Sequence, residues 1–187
     1  MLWIPFLKRN RFLCIYFKLK ISSPSKPKRK LDCITIMIKK GAVFPDFELL
    51  NENGELTRLE QLLENGPAVL FFYPKDNTSG CTKEACEFRD SYAQFNQLNA
   101  KVVGISNDSQ KSHKKFKDRH QLNFPLLTDK NGSLRKKAGI QASFFGLIPG
   151  RVTFIIGKNG IIEGITNSQL EVTAHIKNAI KTLKRIT

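Results

Sequence analysis

The chain is poor in acids: 16 Asp and Glu stand against 31 Lys and Arg in 187 residues, a formal charge of +15. Such an excess can suggest a polyanion partner, so its distribution matters. Residues 1–36 carry nine basic residues against one acid, Asp32, which puts more than half of the excess in the first fifth of the chain. Cysteine is scarce too. Four are too few for a disulfide scaffold and suit a reducing compartment with reactive thiols. Long apolar runs are missing near the N-terminus, where Phe12–Phe17 falls far short of the ~20 residues of a membrane span and is shorter than the ~7–15 of a secretory core. No Walker or Rossmann glycine fingerprint is present, so no nucleotide cofactor is expected. No Cys-x-x-Cys occurs, and His113, His120 and His175 are scattered, so no metal site is expected and each histidine reads as a surface residue.

Residues 1–36 read as an extension apart from the fold: a transit-like segment, a disordered basic arm, or sequence upstream of a true start at Met37. Cys14 and Cys33 go with it and have no partner pattern. From residue 37 to 187 the hydrophobic period alternates. Ala68–Pro74 (AVLFFYP) is a continuous apolar run ended by proline, the pattern of a strand buried on both faces, and Lys101–Ser106 is another. Arg151–Gly157 and Gly160–Thr166 flank Lys158-Asn159 as a hairpin, and Asp46–Leu59 reads as a smaller one turning at Asn53-Gly54. Helical spacing covers Thr82–Leu98, Asp108–Leu122, Gly132–Gly139 and Leu170–Arg185. The order predicts one α/β domain, a sandwich with a mixed central sheet.

The stretch YPKDNTSGCTKEAC, Tyr73–Cys86, carries the chemistry. Cys81 opens the long helix after a buried strand, where unpaired backbone N–H groups and the helix dipole stabilise a thiolate. Gly80 lets backbone come close to a small ligand, and Thr78 offers a hydroxyl. Cys86 lies five residues on, a spacing that rotates the two side chains ~140° apart on a helix and separates their α-carbons by ~8–9 Å. A disulfide tolerates no more than ~7 Å without backbone movement.

Pro74, Thr78 and Cys81 in the pattern Pro-x-x-x-Thr-x-x-Cys resemble the active-site loop of the peroxiredoxins. Cys86 is similar to the second cysteine of their Q-type, or bacterioferritin-comigratory, branch. The resemblance extends through GAVFPDFELLNENG, VVGIS, FPLLTD and RVTF. It implies a thioredoxin-like three-layer sandwich and a thiol peroxidase acting on hydrogen peroxide and organic hydroperoxides. Cys81 resembles the peroxidatic cysteine, Thr78 the residue orienting thiolate and peroxide, Pro74 the shield against water, and Arg151 the arginine over the thiolate, with Gly80 in the substrate loop. Cys86 resembles the resolving cysteine, giving a Cys81–Cys86 disulfide that thioredoxin or a similar dithiol reduces. No cofactor, metal, nucleic-acid or membrane partner is implied, and a monomer is expected. Cytoplasmic residence is expected, or a plastid if residues 1–36 are a transit peptide. Two departures stand out: Ser79 where the branch carries proline, and FFGLIPG before Arg151 where it often carries Lys-Tyr-Gly. Glu84, in the first turn, reads as a partner of the helix dipole. The alternatives are a thioredoxin-like disulfide oxidoreductase and a basic binding module built on Lys111, Lys114, Lys115, Lys117 and Arg119 around Phe116.

Overall fold

The computed structural model describes residues 38–142 and 148–187. The expectations for residues 1–36, Cys14, Cys33 and most of the FFGLIPG stretch lie outside them. Seven strands form one sheet in the order β2-β1-β5-β4-β3-β6-β7. They are β1 Glu48–Asn51, β2 Leu56–Arg58, β3 Ala68–Phe72, β4 Lys101–Ser106, β5 Leu126–Thr128, β6 Val152–Ile156 and β7 Ile162–Asn167. The helices are α1 Leu59–Leu63, α2 Ser79–Asp90, α3 Tyr92–Gln97, α4 Gln110–His120, α5 Ser133–Lys137 and α6 Val172–Ile186. β3 pairs parallel with β4 and antiparallel with β6, so the sheet is mixed.

Every residue of β3 is buried, as a run lacking polar alternation requires of a central strand. Its alternate side chains feed two cores. Ala68, Leu70 and Phe72 join α1 and α5 on one face, while Val69 and Phe71 join α2, α3, α4 and α6 on the other. That gives three layers. Both hairpins form as expected. Gly160 N–H donates to Gly157 C=O at 2.9 Å, which puts Lys158-Asn159 at the centre of a four-residue turn, with Gly160 at φ +78°. In the first hairpin Gly54 N–H closes on Asn51 C=O at 3.0 Å.

Two expectations need correction, and one strand goes unmarked in the sequence. The single helix Thr82–Leu98 is two, because Ser91 leaves the helical region at φ −92°, ψ 3° and lets α3 turn separately onto the sheet. β5, three residues long, has too short an apolar run to read as a strand unaided. His113 and His175 are not surface residues. Both are fully buried, His113 on the inner face of α4 and His175 on that of α6. α4 turns Phe116 inward and leaves Lys111, Lys114 and Lys115 in solvent. Lys117 is engaged by Glu52 and Arg119 by Asn77. No helix among the described residues is long and apolar enough to cross a membrane.

Candidate active site

β3 delivers the loop Tyr73–Thr78 at its C-terminal end, in the middle of the sheet, and α2 starts there. Tyr73 is still tied to the sheet, its N–H donating to Ile105 C=O. Asp76, only 4% exposed, stitches the loop to α4. Its carboxylate accepts from Tyr73 Oη and Ser112 Oγ, both at 2.7 Å, and pairs with His113 Nδ1 at 3.0 Å. Burial works against its charge, but the contacts from His113, Ser112 and Tyr73 outweigh that and hold the carboxyl below the usual range. Asn77 takes the left-handed conformation, φ +59°, which asparagine tolerates better than most residues. Thr78 is the extended N-cap of α2, and its Oγ1 donates to Lys75 C=O at 3.1 Å, leaving hydroxyl lone pairs free to accept. Pro74 is half-buried at the strand end.

The first closed turn of α2 runs from Thr82 N–H to Thr78 C=O, so the amides of Ser79, Gly80 and Cys81 have no intrahelical acceptor. Cys81 sits among them, 2% exposed, its thiol free. Arg151 immediately precedes β6, and the period of two puts Arg151, Thr153 and Ile155 on the face that carries α2. Its Nη2 donates to Cys81 Sγ at 3.4 Å, Nη1 pairs with Glu84, and Nε reaches Gln169 C=O at 3.3 Å. Each nitrogen of the guanidinium thus has a partner at 4% exposure, and the group is not solvated at a strand edge. Gly80 has a local reason to be glycine, since a Cβ there would lie 3.2 Å from Arg151 Nη2.

Glu84 is a correction. It does not attend the helix dipole in solvent; it is completely buried against Arg151. Burial pushes its carboxyl up to about 7, with the charge and hydrogen bond of Arg151 pulling back and Glu87 adding to the rise. Arg135 was also missed. Its guanidinium is buried, donates to Tyr73 C=O at 3.0 Å and to Gly150 C=O, and lies 5.5 Å over the Phe72 ring. It thereby fixes the ends of β3 and β6 from which the loop and Arg151 project. Nothing in the string SLRKK distinguishes this arginine from its solvated neighbours; only the tertiary fold does.

Cys86 is half-buried on α2, its thiol free, with the helix continuous between it and Cys81. No group of three or more metal-ligating side chains occurs among the described residues. The site offers a thiol at a helix start, backbone N–H donors and a fixed guanidinium. Together these suit a nucleophile attacking a small oxygen-rich substrate whose departing oxygen gains charge.

Known proteins resemble this chain in sequence and in fold. The AhpC/TSA family matches residues 41–165. A protein named chloroplastic peroxiredoxin Q from Sedum lineare is 42% identical over 164 residues, covering 88% of this chain and 87% of that one. The crystal structure of the peroxidoxin BcpB from Mycobacterium tuberculosis superposes with a TM-score of 0.75 at 38% identity, over 80% of this chain and 99% of that one. A Xanthomonas campestris bacterioferritin comigratory protein, whose structure is described for its alkyl peroxide reduction activity, gives 0.68 at 27%, over 80% and 97%. The chain therefore belongs to the AhpC/TSA family, on its peroxiredoxin Q branch, and is a thiol peroxidase of thioredoxin-like fold.

Proposed function

We propose that Cys81 is the peroxidatic cysteine, that Cys86 resolves it, and that a thioredoxin-type dithiol restores the pair. The observation that carries this reading is the 3.4 Å contact between Arg151 Nη2 and Cys81 Sγ at the start of α2. A thiolate there attacks the distal oxygen of the peroxide; the O–O bond breaks, sulfur becomes a sulfenic acid, and water or an alcohol leaves after taking a proton. Arg151 and the free amides of the first turn stabilise the departing oxygen. The lone pairs of Thr78 orient the peroxide proton, Gly80 gives the substrate room, and Pro74 covers the entrance. Cys86 then attacks the sulfenic sulfur, expels water and leaves a disulfide, which stops further oxidation. Hydrogen peroxide and organic hydroperoxides both suit a site that grips only the O–O group, and a monomer suffices for an intramolecular disulfide.

A peroxide-consumption assay coupled to thioredoxin tests this. Wild type is expected to turn over continuously. Cys86→Ser should consume about one equivalent of peroxide and stop, because its sulfenic acid has no internal thiol to meet. Continuous wild-type-like turnover by Cys86→Ser would remove Cys86 from the cycle.

Residues 1–36 we read as a plastid-targeting segment ahead of a domain at 37–187, in place of the cytoplasmic expectation. The support is the basic, acid-poor composition together with the chloroplastic naming of the Sedum relative. A fluorescent reporter carrying residues 1–36 should enter plastids; a diffuse signal would reject the assignment.

A further inference from the structure

Glu84 lies between the two cysteines on α2, inside the one stretch of helix that must open if they are to join. One carboxylate oxygen, Oε2, is taken by Arg151; the other, Oε1, is buried and has no hydrogen-bond partner among the described residues. What it faces is His175 Nδ1, 3.7 Å away on α6. His175 Nε2 is 2.9 Å from the carbonyl of Ser168, which can only accept, so Nε2 carries the proton. Burial holds His175 below its ordinary pKa, the Ser168 contact opposing and Arg151 reinforcing it, which favours the neutral ring with Nδ1 bare. Nδ1 in turn accepts from Thr153 Oγ1 at 2.8 Å. An ionised Glu84 would therefore present an unpaired anionic oxygen to an imidazole lone pair in a dry compartment, an arrangement that a proton on Oε1 relieves. The charged and titratable groups around Glu84 are Arg151 ahead of β6, His175 on α6, and Cys81 and Glu87 on its own helix.

We infer that Glu84 takes up one proton when the Cys81–Cys86 disulfide is reduced and releases it when the disulfide forms, so that this redox couple carries a third proton. In the reduced protein the wound helix buries Glu84 as the acid. In the oxidised protein the opened segment exposes it to water as the carboxylate. The balance for reduction is disulfide plus two electrons, two protons, Glu84 carboxylate and one further proton, giving two thiols and Glu84 carboxylic acid. The electrons come from the donor dithiol, which becomes a disulfide. The consequence is a proton-gated helix. The wound form binds the extra proton, so its advantage is complete below the ordinary carboxyl value of 4.5 and falls as pH rises to about 7. Alkalinisation through that window thus loosens α2 and favours resolution, while acid favours the peroxide-ready form.

This inference rests on the disulfide proposed above. Redox titration of wild type and Glu84→Gln against a dithiol couple, from pH 5 to 6.5, tests it. Relative to Glu84→Gln, the wild-type equilibrium should shift toward the disulfide by up to an extra tenfold per pH unit, about 30 mV for a two-electron couple. Parallel pH dependences would overturn the inference. If Glu84→Gln does not fold, carbon NMR titration of the Glu84 carboxyl in the wild-type chain decides. A midpoint near 7 in the reduced and near 4.5 in the oxidised protein supports the inference, and one midpoint for both states overturns it. Absence of any Cys81–Cys86 disulfide in the oxidised sample would instead sink the disulfide reading itself, and the inference with it.

Discussion

Cys81→Ser is expected to lose peroxide turnover by roughly 10³-fold or more, as enzymes do when their nucleophile is removed. The reason is chemical. A serine hydroxyl at the same helix start is not ionised by the dipole and a guanidinium, because its pKa lies far above what these can shift. Oxygen is also a poorer nucleophile toward a peroxide bond than sulfur. The fold should tolerate the change, since Cys81 is a small buried residue in a core cluster that also holds Tyr73, Ala85 and Phe88, and serine is of similar size. Circular dichroism should therefore match wild type while the thioredoxin-coupled assay falls to background. Retained turnover in Cys81→Ser would mean that another thiol meets the peroxide.

Arg151→Lys is the second substitution of large effect. The guanidinium bridges two groups at once, Cys81 through Nη2 and Glu84 through Nη1, while Nε holds Gln169 C=O. A lysine ammonium is a single point of charge and cannot span that fork. Loss of one pre-aimed donor in an enclosed site costs on the order of 10²–10³ in rate. We expect the second-order rate of Cys81 oxidation, followed by stopped flow under single-turnover conditions, to drop by about 10²-fold. The stability loss should be milder than the ~3–5 kcal/mol of a broken buried ion pair. Glu84, already raised to about 7, can take a proton instead of standing as a bare charge. A rate within a fewfold of wild type would show that Arg151 only braces the helix.

Much of the site could be read from local sequence because its chemistry is local. Thr78, Gly80, Cys81 and Cys86 follow one another across a strand end and a helix start, and a continuous apolar run ended by Pro74 says where that junction falls. Arg151 is distant in sequence, and an arginine at the head of an apolar strand reads by itself as a solvated edge charge; only the resemblance carried by the upstream loop points it to the site. What stayed hidden depends on the docking of elements whose neighbours the sequence does not name. Glu84 looks like any first-turn acid until α6 and Arg151 close over it. His113 looks like a surface residue because α4 is otherwise basic and polar around it, and His175 because a lone histidine on an amphipathic helix has no partner in the sequence, yet each falls on the inward stripe. Arg135 sits in a run of cations and is singled out only by two carbonyls, Tyr73 just after β3 and Gly150 just before β6. β5 is three residues long, and its strand character comes from β4 and β1 on either side.

In the cycle proposed above, the two cysteines trade a wound helix for a disulfide. Amide hydrogen exchange over Ser79–Asp90, before and after one equivalent of peroxide, tests it most directly. Protection of α2 in the reduced protein, lost around Cys81–Cys86 on oxidation and regained after dithiol treatment, is the predicted result. Equal protection in both redox states, with a Cys81–Cys86 disulfide present, would contradict it.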